Sequence, residues 1–141
     1  MRRNSFIVAV LFALTSFATP AAAQTIDKRE RIDDINTMLE RRRWGEARMA
    51  LERFGSELNP VIDYNDIVWV EYFKVRCAME LGDAEVEASM ENYLKRYPAS
   101  PYRNSMQFML ACYVSDAGDY KQAKELFNKV DYKNLSASDR E

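Results

Sequence analysis

The sequence predicts an all-α fold in which six helices pair into three antiparallel helix-turn-helix units. Two observations carry most of that expectation. From Thr25 onward, apolar residues recur at helical spacing nearly everywhere, and glycine or proline punctuation cuts the chain into short alternating segments. The third is negative. Only one run, Ile67 to Val70, reads as a strand by its β-branched content, and no second run exists to pair with it.

The chain opens on a segment that stands apart from the folded domain. Met1-Arg2-Arg3 is positive, Phe6 to Phe17 is almost wholly apolar, and Ala21-Ala22-Ala23-Gln24 supplies small residues at cleavage positions. That order describes a secretory signal peptide, residues 1–23, cut after Ala23. Its apolar core is shorter than the roughly 20 residues needed to cross a bilayer. The mature protein is therefore expected in the periplasm or otherwise exported, without membrane insertion. No cysteine follows the apolar run, which argues against the usual bacterial lipid anchor.

Loss of residues 1–23 leaves 18 basic against 22 acidic side chains, a formal charge of −4. A mildly acidic domain without a basic block has no electrostatic reason to bind nucleic acid or anionic lipid. The remaining 118 residues suit one domain with a real core, expected over residues 24–133.

The first hairpin is expected over about 25–55. Ile32, Ile35, Met38 and Leu39 form one apolar stripe, and Trp44, Ala47, Leu51 and Phe54 form another beyond the arginine-rich Glu40 to Arg43. Gly55 to Asp66 reads as a connection, with Asn59-Pro60 inside it and Asn65-Asp66 offering an N-cap. The second hairpin, about 65–97, begins with "IVWVEYFKVRCAMELG". Its unbroken length favours a helix, and a helix apolar on most sides belongs between two layers of neighbours. After Gly82-Asp83, Val86, Met90, Tyr93, Leu94 and Tyr97 resume the helical period. In "YPASPYR", Pro98 ends that helix, Ser100 can cap the next and Pro101 fits its first turn. The third hairpin, about 101–131, runs to Ala117, turns at Gly118-Asp119 and continues from Tyr120 to Val130. Residues 134–141 read as the start of a further helix, capped by Ser136 or Ser138, or as a tail; the former would make the chain the amino-terminal part of a longer protein.

The hairpins share internal spacing. Tyr120-x-x-Ala123-x-x-x-Phe127 repeats the offsets of Trp44-x-x-Ala47-x-x-x-Leu51, and Gly-Asp turns recur at Gly82-Asp83 and Gly118-Asp119. The glycine permits a left-handed residue that ends one helix. The aromatic is expected to lie back over that helix, the alanine to mark a close approach, and the bulky residue to wedge against the next pair. On these residues, with Leu110 and Ala111, the chain resembles the tetratricopeptide repeat family, whose unit is two antiparallel helices of about 34 residues. The first unit has Arg42 in place of the turn glycine, and in the middle unit Ala88 is taken as the small residue, one position late. The resemblance implies a right-handed α-solenoid of three hairpins and a protein-binding role. "YLKRYPASPYR" is similar to bacterial envelope members of the family, whose repeats often carry a Tyr-Pro-x-Ser-Pro junction.

Histidine is absent, no phosphate-cradling glycine loop can be built from four scattered glycines, and no CxxC occurs. Acidic pairs such as Asp33-Asp34 sit on polar faces. The sequence therefore predicts neither an enzyme nor a metal or cofactor site. Cys77 and Cys112 each lie within an apolar helical run and read as buried small side chains, with pairing left open.

In the implied solenoid, the first helix of each pair lines a concave side. The positions are Ile32, Asn36 and Leu39; Tyr72, Arg76 and Met79; and Phe108, Cys112 and Ser115. Together they would form an apolar and aromatic trough for an extended segment or helix of a partner protein. The competing reading is that these residues only pack on neighbouring helices, and the repeats serve as a spacer in a larger periplasmic protein.

Overall fold

The computed structural model describes residues 20–135, and over that span the chain is all-helical, with no strand. Helices α1 (Pro20–Glu40) and α2 (Trp44–Ser56), α3 (Tyr64–Glu80) and α4 (Val86–Arg96), and α5 (Arg103–Asp116) and α6 (Tyr120–Phe127) form three pairs, followed by a 3₁₀ turn at Tyr132–Asn134. Each helix packs on the next one in the chain. Most of the expected leader, residues 1–19, and the two candidate caps Ser136 and Ser138 lie outside the described residues. α1 begins at Pro20, ahead of the expected start near residue 25, and takes in Ala21 to Ala23, the strongest of helix formers.

One turn geometry recurs in every hairpin. Among the described residues, those with positive φ are Arg42, Gly82 and Gly118, at 54°, 73° and 91°. In each turn, this residue and the next donate their N–H groups back to the helix they end. Arg42 N reaches Leu39 O at 3.0 Å and Arg43 N reaches Met38 O at 2.9 Å. Gly82 and Asp83 repeat the pattern onto Met79 and Ala78 at 3.1 and 3.0 Å, and Gly118 and Asp119 onto Ser115 and Val114 at 3.0 and 3.2 Å. This is the Schellman arrangement, which satisfies carbonyls that the helix end would otherwise leave unpaired. Arg42 therefore does the work of glycine at a steric cost that glycine avoids.

The second helix of each pair buries one stripe. In α2 it is Ala47, Leu51 and Phe54; in α4 it is Val86, Met90 and Tyr93; after Asp119 it is Ala123, Phe127 and Val130, with Phe127 half-buried. These three sets share the same spacing, so Val86 holds the position of the alanines. Ala88, the expected small residue of the middle unit, is exposed. The reason is a shorter offset from the turn residue to the first buried position. Gly82 is followed at four residues by Val86, whereas Ala47 and Ala123 follow Arg42 and Gly118 at five. α4 consequently lacks the opening turn that α2 and α6 have. Because Ala123 is 2 % exposed at the α5–α6 contact, Ala123→Leu is expected to cost about 1–3 kcal/mol by overpacking. Ala88→Leu should stay within roughly 0.5 kcal/mol; urea unfolding of the two variants checks this register, and a reversed order would overturn it.

The β-branched run is helical, and α3 forms the partition between two cores. Val70 and Cys77 pack with Ile35, Leu39, Ala47, Leu51 and Phe54 on one side. Val68 and Tyr72 pack with α4, α5 and Ala123 on another. Gly55 in α2 permits the close approach of α3: a Cβ there would stand 3.0 Å from Val70 Cγ1. At the other face of the first hairpin, α1 clamps the connector to α3. Arg31 makes a two-pronged pair with Glu57 at 2.6 and 2.9 Å, and Lys28 pairs with Asp63 and Asp66.

Four local expectations change. α3 begins at Tyr64, so Asn65 and Asp66 lie inside it; Asp63 precedes it but spends its carboxylate on Lys28 and on Asn59 N at 2.9 Å. α5 starts at Arg103, with Pro101 in the turn before it, while Ser100 Oγ accepts from Tyr102 N at 3.0 Å. α6 ends at Phe127, where tighter bonds from Lys129 and Val130 to Leu126 and Phe127 replace the helical ladder, although Val130 remains buried. Tyr120 is 73 % exposed and does not cover the preceding helix. The start of α6 is secured instead by Asp119 Oδ1 accepting from Gln122 N at 3.0 Å.

Candidate functional site

The first helices of the second and third hairpins face each other across a cleft of about 320 Å³. Arg76 and Met79 come from α3; Phe108, Met109, Cys112, Tyr113 and Asp116 come from α5. Four of the nine residues expected to line a trough thus meet here: Arg76, Met79, Phe108 and Cys112. The i, i+4 spacing of Phe108 and Cys112 sets them one above the other on α5. Phe108 is held in place by Phe127, ring centroids 6.1 Å apart.

The other five have different surroundings. Tyr72 is 3 % exposed, stacked on Tyr102 at 4.6 Å between centroids, with its hydroxyl 3.8 Å from Met109 Sδ. Leu39 belongs to the first core, and Ile32 packs against it. Asn36 and Ser115 are half-buried and do not line the cleft. Conversely, sequence reasoning missed Met109, Tyr113 and Asp116. They form a second stripe at i, i+4, i+7, one residue round from the expected one. The cleft lies between the two stripes, and apolar spacing alone cannot say which of two adjacent stripes faces outward.

The cleft sets an arginine among apolar side chains and a thiol. Arg76 is half-buried, and its Nε is shielded from solvent without a hydrogen-bond partner. A buried donor in that state costs about 1–3 kcal/mol until an acceptor reaches it. Asp116 gives the opposite charge on the α5 side. Burial first, and the Asp116 carboxylate second, push the Cys112 thiol up, so it stays protonated and is a poor nucleophile. Burial likewise pushes Cys77 up to about 11; both cysteines are free thiols. Among the described residues, no group of three His, Cys, Asp or Glu converges as a metal site, and no helix is long and apolar enough to cross a membrane.

Comparison of the chain with protein-family models, with curated proteins and with solved structures gives no match in any of the three.

Proposed function

We propose that this protein is an exported, non-enzymatic adaptor of tetratricopeptide-repeat type, whose hairpins stack as a right-handed α-solenoid and bind a protein partner in the bacterial cell envelope. The observation that carries the reading is the α3–α5 cleft. It combines apolar walls from Met79, Phe108 and Met109 with an arginine donor that has no acceptor of its own. An extended segment could fill the apolar walls with one side chain and offer Arg76 an oxygen acceptor. The hydrogen-bond pattern shared by the turns at Arg42, Gly82 and Gly118 supports a repeated unit. The leader over residues 1–23 supports export.

The burial of Leu39 and Tyr72 favours a second reading, in which the repeats are a spacer within a larger periplasmic protein and have no groove of their own. Selection from a displayed peptide library on the purified protein separates the two. The adaptor reading expects enriched peptides whose affinity falls at least tenfold, about 1.4 kcal/mol, in Arg76→Gln and in Phe108→Ala. Arg76→Gln should not lower melting, because it removes a buried Nε donor that makes no bond in the free protein. Absence of enrichment, or enriched peptides indifferent to both substitutions, would support the spacer.

A further inference from the structure

A second cavity, about 350 Å³, lies on a different face of α3, between α2 and α4. It is distinct from the cleft above and does not depend on the adaptor reading. Its origin is the longer middle turn: α4 starts only at Val86, and Asp83 lines the gap.

Two of the three basic side chains in the wall are neutralised within it. Arg48 Nη1 is 2.8 Å from Asp83 Oδ2, and Lys74 Nζ is 2.9 Å from Glu71 Oε1. The third, Arg96, has no carboxylate partner among the described residues; its guanidinium lies over the Tyr97 ring, 5.4 Å from the centroid. Tyr97 is also part of the wall, only 4 % exposed, and its hydroxyl is buried without a hydrogen-bond partner. From α2, Glu52 lines the same cavity and has no cationic partner among the described residues. What remains unmatched is therefore one cation beside a buried hydroxyl donor, and one anion.

We propose that this cavity binds a small zwitterion of amino-acid to dipeptide size, with its carboxylate on Arg96 and the Tyr97 hydroxyl and its ammonium on Glu52. A carboxylate attracts a guanidinium more strongly than an aromatic face does. The Tyr97 hydroxyl, which has no partner of its own, can donate to the same carboxylate. The volume lies at the lower end of small-ligand sites, on the order of 300–1,000 Å³. The apolar floor of Val75 and Ala78 leaves the selectivity to the charged groups.

Titration of the purified protein with glycylglycine, acetate and methylammonium, followed through the backbone amides of Ser89 and Asn92, tests the proposal. Glycylglycine should give saturable shifts, with acetate and methylammonium each at least tenfold weaker. Arg96→Gln and Tyr97→Phe should each weaken glycylglycine about tenfold. Tyr97→Phe should melt no lower than the parent, since it removes a polar atom that makes no bond. Absence of a saturable shift would overturn the proposal, as would acetate binding as tightly as glycylglycine or an unchanged affinity in both variants.

Discussion

Replacing Tyr72 with alanine is expected to lower the melting temperature by roughly 10–20 °C and to leave any peptide binding at the cleft measurable only well below that midpoint. Tyr72 is 3 % exposed and joins three helices at once. Its ring stacks on Tyr102 at 4.6 Å, meets Phe73 and Tyr93 edge-on at 4.9 and 6.0 Å, and carries a hydroxyl directed at Met109. Truncating a buried aromatic costs about 3–5 kcal/mol, because the transfer free energy is lost and the cavity collapses only in part. A domain of this size loses about 4 °C per kcal/mol. Thermal unfolding monitored by circular dichroism measures it. A drop under about 4 °C would mean that Tyr72 faces a groove and that the second core closes without it. Tyr72→Phe, which keeps the ring and its stacking, should lose far less.

The second large effect concerns alkali. Burial pushes the Tyr93 phenol up to about 12 and the Cys77 thiol up to about 11. Both raised groups hold their protons longer folded than unfolded. Their stabilising contribution is therefore intact below the unfolded pKa values, near 9 for the thiol and 10 for the phenol, and is lost as pH rises through the folded ones. Each shift corresponds to an effect on the order of 2–3 kcal/mol. Stability measured by urea unfolding should hold up to about pH 9 and fall steeply between there and pH 12. Burial also raises Tyr97 and Tyr102, which steepens the same limb. Tyr93→Phe removes one contributor and should flatten the limb. It also removes a hydroxyl bonded to Ser100 Oγ at 2.7 Å and Val68 O at 3.3 Å, so the variant begins from a lower value at neutral pH. An alkaline limb of equal depth in both proteins would contradict the assignment. On the acid side, Arg31 holds Glu57 below its usual range and Lys28 does the same for Asp63, but Glu57 is exposed and Asp63 only partly covered, so a small change is expected as pH falls.

How much of this was legible beforehand differs from element to element. The long run from Ile67 to Leu81 read as a helix through its length and its want of a partner strand, and α3 is that helix. Ala47, Leu51 and Phe54 announced a buried stripe by spacing alone, and all three are at most 2 % exposed. The middle unit did not. A chain with both Val86 and Ala88 allows two registers that differ by two residues, and the alanine matched the neighbouring hairpins better. Val86 prevailed because the first buried position of the middle unit comes four residues after Gly82 and not five, which sets the valine against Val68 and Tyr72 of α3. Half of the candidate cleft was legible for a similar reason: helical period places Phe108 and Cys112 on one stripe, but the adjacent stripe of Met109, Tyr113 and Asp116 satisfies the same period.

Sequence by itself determined where the helices lie and where they turn, because helical period, left-handed turn residues and proline boundaries are local properties of the backbone. It also removed histidine chemistry outright. Only the tertiary structure decided which apolar stripe became core and which became the wall of a cleft. Tyr72 and Met79 belong to the same helix, yet one is sealed by Tyr102 and the other lines open space. That outcome rests on the relative rotation and spacing of neighbouring helices, which many weak contacts fix together and no single stretch of sequence encodes.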